Sequence, residues 1–215
     1  MEPGTYDTDT SGMARAHRIV ENALAAGPAY VRSPLAPDRV AAVASFYDNL
    51  FDYLRVHHES EDELLYPRLE ERCPGERQSI ALVGSQHHLL DEPMRAAIAA
   101  IGEWRTDPTD SSSAVLIHAL SVVLEVLAPH CRDEESVILP LARRYVSFDE
   151  WHELLTYERR NFRLDKPWLV LGLAMEQGDD ARRAALLAMM PETRRDQWLE
   201  EWSGAYQAFM AKVRT

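Results

Sequence analysis

One short pattern of metal-binding residue types, His-x3-Glu-x5-Pro, occurs twice in this chain. It is carried by His57, Glu61 and Pro67 and again, 73 positions later, by His130, Glu134 and Pro140. Residues four apart on a helix lie one turn above each other, so each copy directs an imidazole nitrogen and a carboxylate toward the same point. The duplicated pattern therefore predicts a metal site between two facing helices.

Helical phase predicts which of the eight histidines face the core. His87 shares a helix face with apolar residues, whereas its neighbour His88 shares a face with polar and charged ones. The same test places His118 and His152 at the surface. The predicted inward donors come from all four long helices and are His17, His57, Glu61, His87, His130 and Glu134.

Four imidazoles and two carboxylates are costly to bury unless they have partners. Six donors are too many for one tetrahedral zinc ion and suit two octahedral ions bridged by carboxylates. For any single inward histidine, a hydrogen-bonded core residue is the simpler interpretation. Because buried glutamate is rarely left unpaired, the six residues together favour a dinuclear metal site.

Three residues beside these donors have open assignments. His58, next to His57, is predicted to flank the site, although a supporting role or service as an alternative ligand stays open. Asp91, one turn after His87, is a candidate seventh ligand, with a solvated carboxylate as the preferred interpretation. Tyr53, one turn before His57, is a candidate catalytic residue that would hydrogen-bond a bound oxygen species. A plain core aromatic is the alternative.

These residues lie on four long predicted helices in a chain with almost no strand signal. Capping residues, glycines and prolines mark the ends of these helices. The first three helices are predicted at about 11–26, 37–72 and 76–104, and the fourth begins after a capping cluster at 110–113 and ends near 145. Short connections favour antiparallel neighbours, so the predicted fold class is all-α, an up-down antiparallel four-helix bundle with additional short C-terminal helices. Pro67, Pro93, Pro129 and Pro140 are predicted to kink their helices.

The chain divides into three predicted parts. Residues 1–10 are a flexible N-terminus, 11–146 form the bundle, and 147–215 form a helical extension rich in Trp and Arg. The extension is predicted to pack on the bundle or on a second copy of the chain, which would give a dimer.

Composition and charge exclude several kinds of partner. A formal net charge of −12 argues against nucleic acid and against anionic membranes. The longer apolar runs are interrupted by polar residues, and the N-terminus lacks the pattern of a signal peptide. The two cysteines form no CxxC motif and fit a reducing compartment, so we expect a cytoplasmic protein.

The donor pattern resembles that of the hemerythrin-like family, the HHE cation-binding domain. One element per bundle helix is matched over about residues 11–145: His17, then His57 and Glu61, then His87, then His130 and Glu134. The resemblance implies two iron ions, oxo- or hydroxo-bridged, that bind dioxygen or related small molecules. Oxygen-carrying members have a further histidine where this chain has Asp91, and this departure disfavours pure oxygen transport.

Three functions fit this pattern. The preferred one is redox or oxygenase-type chemistry on dioxygen or peroxide, with a small organic substrate in the oxygenase case. This would make the chain a di-iron oxidoreductase. The alternatives are binding or sensing of oxygen, nitric oxide or redox state without turnover, and iron buffering. The sequence lacks the Glu-x2-His spacing of ferritin-like sites and the His-Glu-x2-His motif of zinc proteases.

Overall fold

All regular secondary structure in the described part of the chain is helical. The computed structural model describes residues 5–32 and 35–215. Over these residues the predicted all-α class, a four-helix bundle with extra C-terminal helices, is confirmed.

Four long helical segments form the bundle. Their bounds are α1 (Ser11–Ala25), which the one-turn α2 (Gly27–Tyr30) follows; then α3 (Pro37–Ser60), a π-helical turn (Glu61–Leu65) and α4 (Tyr66–Arg72); then α5 (Arg77–Ser85) and α6 (His87–Thr106); and last α7 (Asp110–Asp133), a second π-helical turn (Glu134–Ile138) and α8 (Leu139–Tyr145). In the bundle, α7 packs against α1 and α6, and α6 packs against α3. The apolar stripes of the four segments thereby meet in one core.

Both copies of the duplicated motif contain a π-helical turn that begins at the motif glutamate. The N–H of Tyr66 bonds to the carbonyl of Glu61, and the N–H of Leu139 bonds to that of Glu134, each five residues earlier. Proline has no N–H, and its ring clashes with the carbonyl four residues before it. The wider π-turn accommodates the proline that follows in each copy, and it places the glutamate at an irregularity of its helix.

The third bundle segment is interrupted at Gln86, between α5 and α6. The prediction of one continuous helix over 76–104 is therefore wrong at this residue. By contrast, α6 continues past Pro93 and α7 continues past Pro129 without interruption. The Gln86 side chain reaches across to the fourth segment, where it contacts His130 and Asp133.

The C-terminal extension consists of shorter helices that pack on the bundle. Their bounds are α9 (Phe148–Asn161), α10 (Leu169–Gln177), α11 (Asp180–Met189), α12 (Glu192–Gln197), a π-helical turn (Trp198–Trp202) and α13 (Ser203–Arg214). α9 lies against α3 and the first π-turn, whereas α10 and α13 both lie against α3. Trp168, Trp198 and Trp202 belong to the same apolar core as Phe46 of α3. The extension thus covers the outer side of the second bundle segment.

Residues 6–8, which the sequence assigned to a flexible terminus, are held along the end of α8. The N–H groups of Tyr6 and Thr8 donate to the carbonyls of Arg144 and Arg143. The Thr8 hydroxyl donates to the carbonyl of Val146 at 2.6 Å. Residues 1–4 of the predicted flexible segment lie outside the described residues.

One helical stretch, Asp110–Tyr145, is long and apolar enough to cross a membrane by length and composition alone. His118 and Glu125 interrupt the apolar run of this stretch, and on that ground the sequence-based expectation excludes it as a membrane span. Its mean hydropathy nevertheless stays as high as that of a membrane span. Core helices of bundles meet the same criteria because they bury an apolar stripe. In this bundle Leu116 and Leu120 of that stripe are buried.

Candidate metal centre

The six predicted donors converge at one point inside the bundle. They arrive from all four bundle segments, and every one of them is buried. Glu61 and Glu134 lie at the starts of the two π-turns and have no exposed surface. The duplicated motif therefore places two fully buried carboxylates face to face among imidazole rings.

Distances within the cluster match those between ligands of a shared ion. The Nε2 atom of His57 lies 3.1 Å from Oε1 of Glu61, and Nε2 of His17 lies 3.1 Å from Oε2 of Glu134. Ligand atoms that lie about 2.1 Å from one ion and at right angles are about 3.0 Å apart. The separations thus suit coordination of a common cation.

Several of these atoms have no hydrogen-bond partner. Among residues 5–32 and 35–215, the buried unpartnered atoms include both carboxylate oxygens of Glu61, Oε2 of Glu134, and Nε2 of His87 and of His130. Each unsatisfied buried polar group costs about 1–3 kcal/mol, so the four side chains that carry these atoms cost about 4–12 kcal/mol, which is comparable to the whole stability of a typical domain. A bound cation would remove this cost by accepting the lone pairs.

The donors form two groups that share one residue. His17, His57, Glu61 and Glu134 make one group, and His58, Glu61, His87 and His130 make the other, with the ligand atoms of each group within 4.8 Å of one another. Glu61 presents Oε1 to His57 and Oε2 to His87, the latter at 3.5 Å. Each group could hold a metal ion, and Glu61 offers an oxygen atom to both.

His58 is placed differently from the sequence-based expectation of a flanking position. It is only 7% exposed, and its ring stacks on that of His87 with centroids 4.2 Å apart. Its ring also meets the edge of the His130 ring at 5.3 Å. Helical phase left His58 at the border of the apolar stripe. It is buried because α3 is covered on two sides, by α6 and by α9, so the buried face of α3 is wider than one stripe.

Each of the four predicted ligand histidines has its second ring nitrogen, Nδ1, in a hydrogen bond. The partners are Glu135 for His17 at 3.1 Å, Glu158 for His57 at 3.0 Å, Asp62 for His87 at 2.8 Å and Gln86 for His130 at 3.2 Å. A hydrogen bond at Nδ1 fixes the ring orientation and leaves the lone pair of Nε2 free to bind metal.

Two of these partners follow directly from the duplicated motif. Asp62 and Glu135 are the residues immediately after the motif glutamates, so the full repeat is His-x3-Glu-(Asp/Glu). Sequence reasoning stopped at the glutamate, although the acidic residue in both copies was a signal. Glu158 and Gln86 carry no such signal, because they reach the site only through tertiary packing.

Electrostatics within the cluster differ from one imidazole to the next. Contacts with Cys131 and Glu134 outweigh burial and raise the pKa of His17 to about 12. Burial and the charge of neighbouring histidines lower the pKa of His58 well below its ordinary value, and burial lowers that of His130 to about 4. Burial and the nearby Glu134 carboxylate raise the pKa of Glu61. Burial alone would raise the pKa of Glu134 as well, but the charged His17 imidazole, whose Nε2 lies 3.1 Å from Oε2 of Glu134, outweighs it and lowers that pKa to about 2. Two buried carboxylates thus require positive charge between them.

Two tyrosines lie beside the centre. The ring of Tyr53, the predicted candidate, stacks on that of His57 with centroids 5.8 Å apart. Tyr66, which sequence reasoning missed, donates its hydroxyl hydrogen to Oε1 of Glu134 at 3.2 Å. Its ring lies against Gly84, where a Cβ atom would come within 3.2 Å of the ring. Gly84 therefore permits a close helix contact that positions Tyr66.

The remaining candidates lie away from the cluster. His88 is 85% exposed and Asp91 is 66% exposed, so the predicted contrast with His87 is confirmed and Asp91 does not contribute to either group. His118 is exposed, as predicted, and His152 is half-buried in the extension. Both cysteines are buried and unpaired.

Fold and site together define a helical-bundle protein with a buried His/Glu centre built for metal. A family model described as the hemerythrin HHE cation binding domain matches residues 8–142, which is more than half of the chain. The chain therefore belongs to the hemerythrin HHE family and is a metal-binding protein. Comparison with curated proteins and with solved structures gives no match.

Proposed function

We propose that this chain holds two iron ions bridged by Glu61 and that the centre binds and activates dioxygen or peroxide in redox or oxygenase-type chemistry. The observation that carries the proposal is the pair of buried donor groups that overlap at Glu61. Mixed imidazole and carboxylate ligands suit iron, and each donor group supplies four of them. Bound iron would supply the electrons with which dioxygen or peroxide is reduced.

The residues of this chain have distinct roles in that proposal. His17 and His57 would hold one ion, while His87, His130 and His58 would hold the other. Glu61 would contribute an oxygen atom to each, and Glu134 lies beside His17 and His130, with Oε2 at 3.1 and 3.7 Å from their Nε2 atoms.

Tyr66 is the feature that favours activation over simple binding. Burial and the carboxylates of Glu134 and Glu61 raise the pKa of its phenol, so the hydroxyl keeps its proton at neutral pH. The ring also lines a surface pocket of about 330 Å³ together with Gly84 and Asp62. Tyr66 therefore lies between an opening for a small molecule and Glu134, and its hydroxyl can donate a hydrogen bond to an oxygen species at the centre.

One observation favours a second function, reversible binding or sensing of dioxygen or nitric oxide without turnover. The sequence-based argument against carriage depended on the histidine missing at Asp91. His58 supplies a fifth histidine from a different helix, which brings the donor set back to five imidazoles and two carboxylates.

Anaerobic loading with Fe²⁺ followed by dioxygen or hydrogen peroxide tests the proposal and separates the two functions. We expect metal analysis to give two irons per chain. After the oxidant is added, we expect absorbance to show rapid irreversible oxidation of the irons or consumption of peroxide. A content of one iron per chain would contradict the proposed pair of iron ions. A stable oxygen adduct that is released under vacuum would contradict activation and support reversible binding.

A pair of histidine variants tests the composition of the second ion's site. His58→Ala should lower the iron content toward one per chain, because three of the four donors remain for the second ion and one of its imidazoles is lost. His88→Ala is the matched control, since His88 is adjacent to a donor but points outward, and it should retain the full iron content. Full loading of both variants would remove His58 from the donor set.

A further inference from the structure

The C-terminal extension contacts the metal centre directly, through Glu158 of α9. Oε1 of Glu158 lies 3.0 Å from Nδ1 of His57, and the carboxylate is only 12% exposed. Residue 158 lies beyond the matched family region, which ends at 142. The bundle supplies the Nδ1 partners of His17, His87 and His130 from its own segments, and His57 alone among these four receives its partner from the extension.

Arginines of the second bundle segment hold α9 in place at both ends. Near its start, Arg72 pairs with both carboxylate oxygens of Glu150, and Arg68 pairs with Glu153. At its end, Arg55 donates to the carbonyl of Asn161 at 3.1 Å. A helix anchored at both ends presents the Glu158 carboxylate from a fixed position.

A carboxylate at this position affects the nitrogen that faces the metal. It accepts the Nδ1–H of His57, which fixes the neutral tautomer with the lone pair on Nε2. Its negative charge also pushes electron density toward Nε2, so the imidazole becomes a stronger metal ligand. Losing such a partner typically costs about 10–100-fold in metal affinity.

We propose that Glu158 is a positioning residue for the metal centre, so that the extension completes the site by orienting and strengthening His57 as a ligand. The proposal rests on the proposed function insofar as His57 binds metal. In this proposal, α9 orients a metal ligand in addition to covering the bundle. Residues 8–142 alone would retain the donors but would lack one of the groups that orient them.

Cobalt(II) binding to the full chain tests this proposal without any redox turnover. We expect Glu158→Gln, which keeps an acceptor but loses the charge, to weaken cobalt affinity about 10-fold, and Glu158→Ala, which loses both, to weaken it further. Glu153→Gln is the matched control. This substitution removes a different carboxylate of α9, which pairs with Arg68 of the bundle. The variant should bind cobalt as tightly as the parent protein does.

A nuclear magnetic resonance readout separates positioning from a general loosening of the extension. In the cobalt-loaded protein, the paramagnetically shifted Nδ1–H signal of His57 should exchange with water faster in Glu158→Ala. The corresponding signals of His17, His87 and His130 should stay unchanged. Equal cobalt affinity and unchanged exchange in both Glu158 variants would overturn the proposal, whereas no cobalt binding by the parent chain would instead overturn the metal centre itself.

Discussion

At the scale of single residues, contact with the centre depends on small differences in position. Tyr53 and Tyr66 both lie beside ligands, but Tyr53 stacks its ring on His57 while Tyr66 donates a hydrogen bond to Glu134. Tyr66 immediately follows the first π-turn, and Gly84 gives its ring room to approach. The hydrogen-bond donor is thus placed by an irregular turn and a glycine.

Tyr66→Phe tests that assignment. The ring still packs against Gly84, so folding and iron content should be retained, but Glu134 loses its donor and the centre loses a hydrogen bond. We expect the rate of peroxide consumption by the iron-loaded protein to fall about 100-fold, as is typical for loss of a positioned hydrogen-bond donor. Tyr53→Phe keeps its ring on His57 and should change the rate much less. Equal effects of the two substitutions would assign no special role to Tyr66.

At the scale of helices, the extension depends on one close crossing. Gly172 of α10 lies against the ring of Tyr206 on α13, where a Cβ atom would overlap the ring. Both residues are buried in or beside the shared apolar core, together with Trp168 and Trp198. The crossing therefore requires a residue without a side chain at position 172.

Gly172→Ala should accordingly destabilise the fold. Overpacking of this kind costs about 1–3 kcal/mol, which exceeds the gain of about 1 kcal/mol from replacing glycine in a helix. Urea unfolding followed by tryptophan fluorescence measures the change, since the extension holds three buried tryptophans. Gly204→Ala is the matched control, because no atom lies within 4 Å of its added Cβ, and it should be neutral or stabilising. The idea fails if Gly172→Ala is as stable as Gly204→Ala.

At the scale of the whole molecule, a charged junction joins the bundle to the extension. Glu150 caps the start of α9 by accepting from the Ser147 N–H, and it pairs with Arg72 of α4. The Arg72 hydrogen bonds outweigh burial and lower the pKa of Glu150 to about 2. Because the folded-state pKa lies below the unfolded value of 4.5, this contribution to stability is present above pH 4.5 and is lost as the pH falls toward 2.

Glu150→Gln should therefore reduce the free energy of unfolding by about 1 kcal/mol at pH 7, since the pair is partly exposed and screened. The difference between parent and variant should shrink as the pH is lowered from 5 to 3. Urea unfolding at several pH values measures it. In an Arg72→Gln background the same substitution should have little effect. A difference that does not change over this pH range would contradict the assignment.

The amino-acid sequence by itself determined the helical class, the duplicated motif and which of His87 and His88 faces inward, because these depend on periodicity along a single helix. The tertiary structure alone decided the places of His58, Tyr66 and Glu158. His58 is buried because α6 and α9 cover two sides of α3, and Glu158 reaches His57 only because arginines far from it in sequence anchor α9. Such contacts depend on which helices become neighbours, and spacing within one helix carries no information about that.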